Sequence, residues 1–244
     1  MLMVFPVWRE RIAVGKVRTI LCYGDSNTYG AVPTLARTGR YRFAPDRRWP
    51  GILRRLLGAD WNVVEEGHPS RTTVRDDPIE GKHKNGLRAL PVCLESHMPL
   101  DVVILMLGTN DLKQRFAAAA VDVADSVEVL VRAIQRSEAG PAGAPPAVIV
   151  VAPPPMQEVD WLGEMFLGGA AKSMELGVRL AEVARRCDAG FVDAGALVET
   201  STIDGIHLDG EAHRTLGTAL GKTVLSAFPT EPKRRRSPRP LRAR

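Results

Sequence analysis

Four side chains of this sequence could act together on one carbonyl: an alcohol, an imidazole, a carboxylate and an amide. The alcohol is Ser26, in Gly24-Asp25-Ser26-Asn27-Thr28, directly after an apolar run at residues 17–23. Near the far end lies Asp204-Gly205-Ile206-His207, a base with an orienting carboxylate three residues before it. Ser…Asp…His is one of several chain orders in which such triads occur. A serine hydroxyl needs a base within hydrogen-bond reach to attack a carbonyl. A carboxylate at the imidazole Nδ1 fixes the tautomer and stabilises the imidazolium that forms. Alone, Asp-x-x-His equally suits a helix-start carboxylate beside a surface histidine. Its pairing with the serine turn gives it chemical sense.

The developing alkoxide then requires donors aimed at it. Ser26 can offer its own backbone N–H at the start of a helix, where the dipole favours negative charge. Asn110, in Gly108-Thr109-Asn110-Asp111, can offer a side-chain amide, although an Asn after glycine is also a common turn former. The loop after the second strand can supply a third donor from a backbone N–H.

Positioning these groups falls to elements that alternate along the chain. Short β-branched and aliphatic runs at 17–23, 61–65, 101–107, 147–152 and 191–193 read as strands. Helical spacing falls at 47–57, 87–97, 117–136, 164–187 and 210–228, with Asp209 as a cap for the last. Pro91 is expected in the first turn of its helix, and the 164–187 helix is expected to fray or bend at Gly168-Gly169 and Gly177. Five strands alternating with helices predict an α/β protein with a parallel sheet covered on both faces, joined by right-handed crossovers. The unusual residues, at 24–28, 67–73, 108–111 and 153–155, each follow a strand's carboxyl end, where open α/β sheets bind ligands. One rim collects the site.

Gly-Asp-Ser-x-Thr, Gly-x-Asn-Asp and Asp-x-x-His, in this order, resemble the blocks of the SGNH (GDSL) hydrolase superfamily over residues 17–225. The resemblance implies a three-layer α/β/α sandwich around a five-stranded parallel sheet, flavodoxin-like, in a domain spanning 17–228. It implies Ser26 as nucleophile, Asp204 and His207 as its partners, and oxyanion donors from the Ser26 backbone and the Asn110 side chain. Two positions depart from the family pattern. Asn27 stands where leucine is usual, and Ser70, in Glu66-Gly67-His68-Pro69-Ser70-Arg71-Thr72, stands where a glycine gives the third oxyanion N–H. Asp25, Asn27, His68, Thr109 and Pro154 are the remaining candidates for contact with substrate.

Cys22-Tyr23-Gly24-Asp25-Ser26, Arg42-Phe43-Ala44-Pro45-Asp46, Glu65-Glu66-Gly67, Arg71-Thr72-Thr73 and residues 104–111 narrow the resemblance to the arylesterase/acyltransferase branch. That branch implies cleavage of short acyl, chiefly acetyl, esters, including aryl or carbohydrate acetates, with acyl transfer to alcohols. It implies a homo-oligomer, an octamer, with the loops at 28–46 and 67–85 as interface material. No metal or organic cofactor is called for. A thioesterase or lysophospholipase uses the same triad, and an inactive SGNH-fold binding subunit is the alternative outside enzymes.

Composition fits this reading. Hydrophobic residues make up 45% and charged residues 25% of 244, an ordinary balance for a globular domain. No apolar run approaches the ~20 residues that span a bilayer. The apolar start lacks the preceding charges and small-residue cleavage site of a secretory signal. Three widely spaced cysteines, Cys22, Cys93 and Cys187, read as reduced core residues of a cytoplasmic protein. The net charge of +5 is misleading, because residues 229–244 hold seven basic residues against the single acid Glu231. That proline-interrupted run is expected to be a disordered, solvated tail, and residues 1–16 an arm. Without the tail the charge is near zero, so nucleic acid is not the expected partner. Gly217-Thr218-Ala219-Leu220-Gly221-Lys222-Thr223 is one residue short of a phosphate loop and lies inside a helical pattern. His68, His83, His97 and His213 lack metal-ligand spacing.

Overall fold

The computed structural model describes residues 17–38 and 41–229. The expected arm at 1–16 and, apart from Pro229, the expected basic tail lie outside the described residues. Five strands form one sheet in the order β2-β1-β3-β4-β5, every neighbouring pair parallel. The strands are β1 (Arg18–Gly24), β2 (Trp61–Gly67), β3 (Val102–Met106), β4 (Ala147–Ala152) and β5 (Gly190–Asp193). A parallel sheet must be covered on both faces, because each crossover lays a helix across it. The central strands accordingly alternate between two apolar cores. Leu21, Tyr23, Val103 and Leu105 face one; Ile20, Cys22, Val102 and Ile104 face the other. Each such aliphatic side chain, buried fully, contributes roughly 1.5–3 kcal/mol.

The first face is covered by α3 (Gly86–His97), α4 (Ala120–Gln135) and α7 (Leu176–Arg186). The second is covered by α2 (Trp49–Leu57) and α8 (Gly210–Ala227), which pack side by side. This is the three-layer α/β/α arrangement. The Asp209 side chain caps α8 by accepting from Ala212 N–H at 2.8 Å. The glycines at 217 and 221 lie within α8, so the phosphate-loop-like string is helix.

Two expectations about helices need correction. The helix expected over 164–187 is three pieces, α5 (Asp160–Met165), α6 (Gly169–Ser173) and α7, with the expected bend at Gly168-Gly169 and a further break before Leu176. Gly168 adopts φ 78° between the first two, a left-handed conformation that ends a helix and that glycine adopts without steric cost. Gly177 lies inside α7 and breaks nothing. Pro91 is not in the first turn of α3, which begins at Gly86 after the Asn85 cap. It sits on an exposed face instead, where solvent can take the carbonyl its missing N–H leaves free.

Strand order reverses direction between β1 and β3. A crevice opens outside the carboxyl ends of strands at such a switch point. The single-turn helix α1 (Ser26–Tyr29) follows β1, and a 3₁₀ turn at Thr109–Leu112 follows β3. Ser26 and Asn110 therefore flank the crevice by topology.

Candidate active site

Ser26, His207 and Asp204 lie in line. The Ser26 Oγ is 3.0 Å from His207 Nε2, and His207 Nδ1 is 2.7 Å from Asp204 Oδ2. Asp204 is fully buried and accepts three further hydrogen bonds, from the backbone N–H groups of Thr34, Ile206 and His207. Burial pushes its carboxyl up, but the bonds and charge of His207 outweigh this and hold it below the ordinary range. An ionised Asp204 accepts from the Nδ1 side of His207, leaving Nε2 to accept from the serine. Gly205 makes the tight bend possible. Its φ is 74°, and a Cβ there would meet the Gln157 carbonyl oxygen at 2.2 Å.

Asn27 clamps this loop from the other side. Its Nδ2 donates to the Ile206 carbonyl at 3.1 Å, and its Oδ1 accepts from Leu208 N–H at 2.9 Å. The two residues flanking His207 are thus tied to the residue after Ser26. A leucine could make neither bond.

Asn110 donates through Nδ2 to Asp25 Oδ2 at 3.3 Å, which leaves its second amide hydrogen for the cavity. Asp25 also accepts from Asn27 N–H at 3.0 Å. Burial raises the Asp25 carboxyl to about 6, against the lowering by the Asn27 N–H and the His207 and Arg71 charges. Ser70 has φ 66°, a left-handed backbone that glycine adopts more readily than serine. The loops carrying Ser70 and Asn110 are locked together by the buried Asp111. Its carboxylate accepts from Thr73 N–H, Thr73 Oγ1 and Arg75 Nη1.

These groups open onto a cavity of about 390 Å³, onto which Ser26, Ser70, Asn110 and His207 all face. Trp161, Leu162, Met165 and Phe166 form an apolar wall, and Glu80, Lys113 and Arg115 a charged one. Burial raises the Glu80 carboxyl, but Lys113, with help from Ser70, brings it below its ordinary value.

The five expected substrate contacts are placed elsewhere. Asp25 and Asn27 are buried, their polar atoms committed to Asn110 and to the His207 loop. His68 turns its Nε2 to Lys84 and packs edge-on against His83. Thr109 is buried in the turn after β3, and Pro154 in the stretch leaving β4. None of the five lines the cavity. The wall residues went unseen because Trp, Leu, Met and Phe side chains carry no chemistry that marks them out in a sequence. Asp111 was visible in the Gly-x-Asn-Asp string, but its partner Arg75 was not.

A parallel sheet with an alcohol, imidazole, carboxylate and amide gathered at its switch point defines a protein equipped for acyl chemistry. Among known structures, the native M. smegmatis aryl esterase is 43% identical, covering 86% of this chain and 99% of its own, with a TM-score of 0.81. A carbohydrate acetylesterase from Sinorhizobium meliloti is 39% identical, covering 86% and 100%, with a TM-score of 0.82. The lipase/acylhydrolase from Enterococcus faecalis, 19% identical over 88% and 100% with a TM-score of 0.63, shares the fold. No curated protein matches the chain significantly. The model of the GDSL-like lipase/acylhydrolase family matches residues 22–215, and the chain belongs to that family. It is a carboxylic ester hydrolase of the SGNH type. Among the described residues, no helix is long and apolar enough to cross a membrane, and no group of His, Cys, Asp or Glu is suited to hold a metal ion.

Proposed function

We propose that the protein cleaves short-chain esters, chiefly acetates of aryl or carbohydrate alcohols, through an acyl-enzyme on Ser26. The line from Ser26 through His207 to Asp204, at 3.0 and 2.7 Å, carries this reading. His207 takes the serine proton as Oγ attacks the carbonyl, and returns it to the leaving alcohol. The N–H groups of Ser26 and Ser70 and the Asn110 amide receive the developing oxyanion. Water then deacylates the serine, and an alcohol in the partly apolar cavity competes with it, giving acyl transfer. A cavity of about 390 Å³ is at the small end for ligand sites, which favours an acetyl ester over the long chains of a thioesterase or lysophospholipase.

Rapid quenching with an activated acetate, followed by intact-mass measurement, tests the reading. The expected result is an adduct of about 42 Da on Ser26. An adduct elsewhere, or a preference for chains of eight or more carbons, overturns it. Exposed Tyr41 and Ile79 at the cavity mouth support a homo-oligomer closing over the site, which light scattering would read as a multiple of the 26.6 kDa chain. The free thiols of Cys22, Cys93 and Cys187 favour a reducing, cytoplasmic setting.

A further inference from the structure

Ser70 lines the cavity in a backbone conformation that side-chain-bearing residues rarely adopt, with φ 66°. His68-Pro69-Ser70-Arg71 forms a turn closed by Arg71 N–H to the His68 carbonyl at 3.0 Å. Ser70 occupies its third position, where a type II turn requires positive φ, and Pro69 the second, where proline is favoured. Among the described residues, the Ser70 N–H donates to no protein acceptor. Pro69 and Ser70 both line the cavity.

The peptide joining them is trans and planar, so its carbonyl and its N–H point in opposite directions. On the carbonyl side sits Lys84. Its Nζ donates to the Pro69 oxygen at 3.0 Å and lies 3.1 Å from His68 Nε2, although only 3% of the residue is exposed. The lysine backbone is itself fixed, its N–H on the Gly81 carbonyl at 3.0 Å and its carbonyl accepting from Thr72 N–H at 2.9 Å. A buried ammonium is costly unless its hydrogen bonds compensate. One of the bonds that compensates here is to the back of a cavity-lining peptide.

We propose that Lys84 is a positioning residue for ester hydrolysis. By gripping the Pro69 carbonyl it aims the Ser70 N–H, on the far side of the same peptide, at the oxyanion. Its charge also polarises that peptide and makes the N–H a stronger donor, as linked hydrogen bonds reinforce one another at low local dielectric. This rests on reading Ser26 as the nucleophile and the cavity donors as its oxyanion hole.

Two variants test it: Lys84→Met, which removes donor and charge at similar length, and Lys84→Gln, which keeps a donor without the charge. With an aryl acetate, Lys84→Met should lower kcat about 10- to 100-fold with KM nearly unchanged, and Lys84→Gln should fall between it and wild type. The rate ratio between that ester and its thionoester, whose sulfur accepts hydrogen bonds poorly, should shrink in both variants. A merely structural role would lower both rates alike and leave the ratio unmoved. Unchanged kcat, or a fall in kcat at constant ratio, overturns the assignment. Should Lys84→Met fail to fold, Lys84→Gln carries the same two readouts. Absence of the Ser26 adduct in the wild-type protein would instead overturn the nucleophile reading. An adduct there with unmoved variants removes only Lys84.

Discussion

The two halves of the rim are held by different physics. The half carrying His207, residues 24–29 with 201–213, is fastened by an amide and a carboxylate side chain: Asn27 to Ile206 and Leu208, and Asp204 to Thr34, Ile206 and His207. The half carrying Ser70 and Asn110, residues 67–85 with 108–115, is fastened by cationic side chains. Arg71 reaches the carbonyls of Gly24 and Glu66, Lys84 that of Pro69, and Arg75 the Asp111 carboxylate. Lys113, only 2% exposed, and Arg115 share Glu80 and Asp77. A positive charge beside His207 would lower its basicity, whereas positive charge behind an oxyanion site favours the charge that develops there. On the proposed mechanism, this division matches what each half would do to a proton or an anion.

Breaking either half should therefore leave a different signature. The largest effect is expected from Ser26→Ala, with turnover of an aryl acetate down by at least about 10⁴-fold and an unchanged thermal midpoint. Wild-type-like turnover would remove Ser26 from the nucleophile role. Asn110→Ala should lower kcat about 10²-fold with little change in KM. An effect on KM alone would reassign the amide to ground-state binding. Asn27→Leu, the family's usual residue, leaves the buried Leu208 N–H without its acceptor, at a cost of about 1–3 kcal/mol. We expect kcat to fall about tenfold as His207 loses its register, together with a lower melting temperature. Loss of stability without loss of rate would separate the clamp from catalysis.

The smallest effect on rate, and the sharpest contrast, belongs to His213. It lies six residues after the triad histidine, fully buried, with Nδ1 accepting from Trp49 N–H at 3.3 Å. Burial depresses it to about 4, Asp209 opposing and His207 and Arg48 adding to the shift. A depressed histidine binds its proton more readily when unfolded, so stability is full above about 6.5 and is lost as pH falls toward 4. The loss amounts to about 3 kcal/mol at ~1.4 kcal/mol per pH unit. Asp25, raised to about 6, acts with opposite sign over the overlapping window, its penalty growing as pH rises. Comparing His213→Gln with wild type by denaturant unfolding at pH 4 to 7 isolates the histidine. The variant should show a flatter profile and normal turnover at pH 7. Parallel profiles would remove His213 as the source.

Much of this was legible in one dimension. Strand β4 is bounded by the sequence as by the structure, because six apolar residues stop at three prolines. The Asp204–His207 pair is local, since a carboxylate three residues back can fold onto an imidazole. Asp209 caps its helix for the same local reason. In the helix expected over 164–187 the bend at Gly168-Gly169 was legible from the glycines, whereas the start at Asp160 and the break before Leu176 were not, because amphipathic spacing continues across them. Glu80, Lys113 and Arg115, which line the cavity, were invisible as site residues, since in sequence they are charges in loops.

The sequence by itself determined the alternation of strand and helix, the rim on which polar residues collect, and the chemical types gathered there. Those follow from periodicity, turn chemistry and motif order, all of which act over a few residues. Only the tertiary structure decided which polar groups face the cavity and which face each other. It turned Asn27 inward to hold a loop 179 residues away, and it buried Lys84 behind the peptide joining Pro69 and Ser70. Such choices depend on which desolvated group finds a partner across the fold, and that pairing exists only once the chain has closed around it.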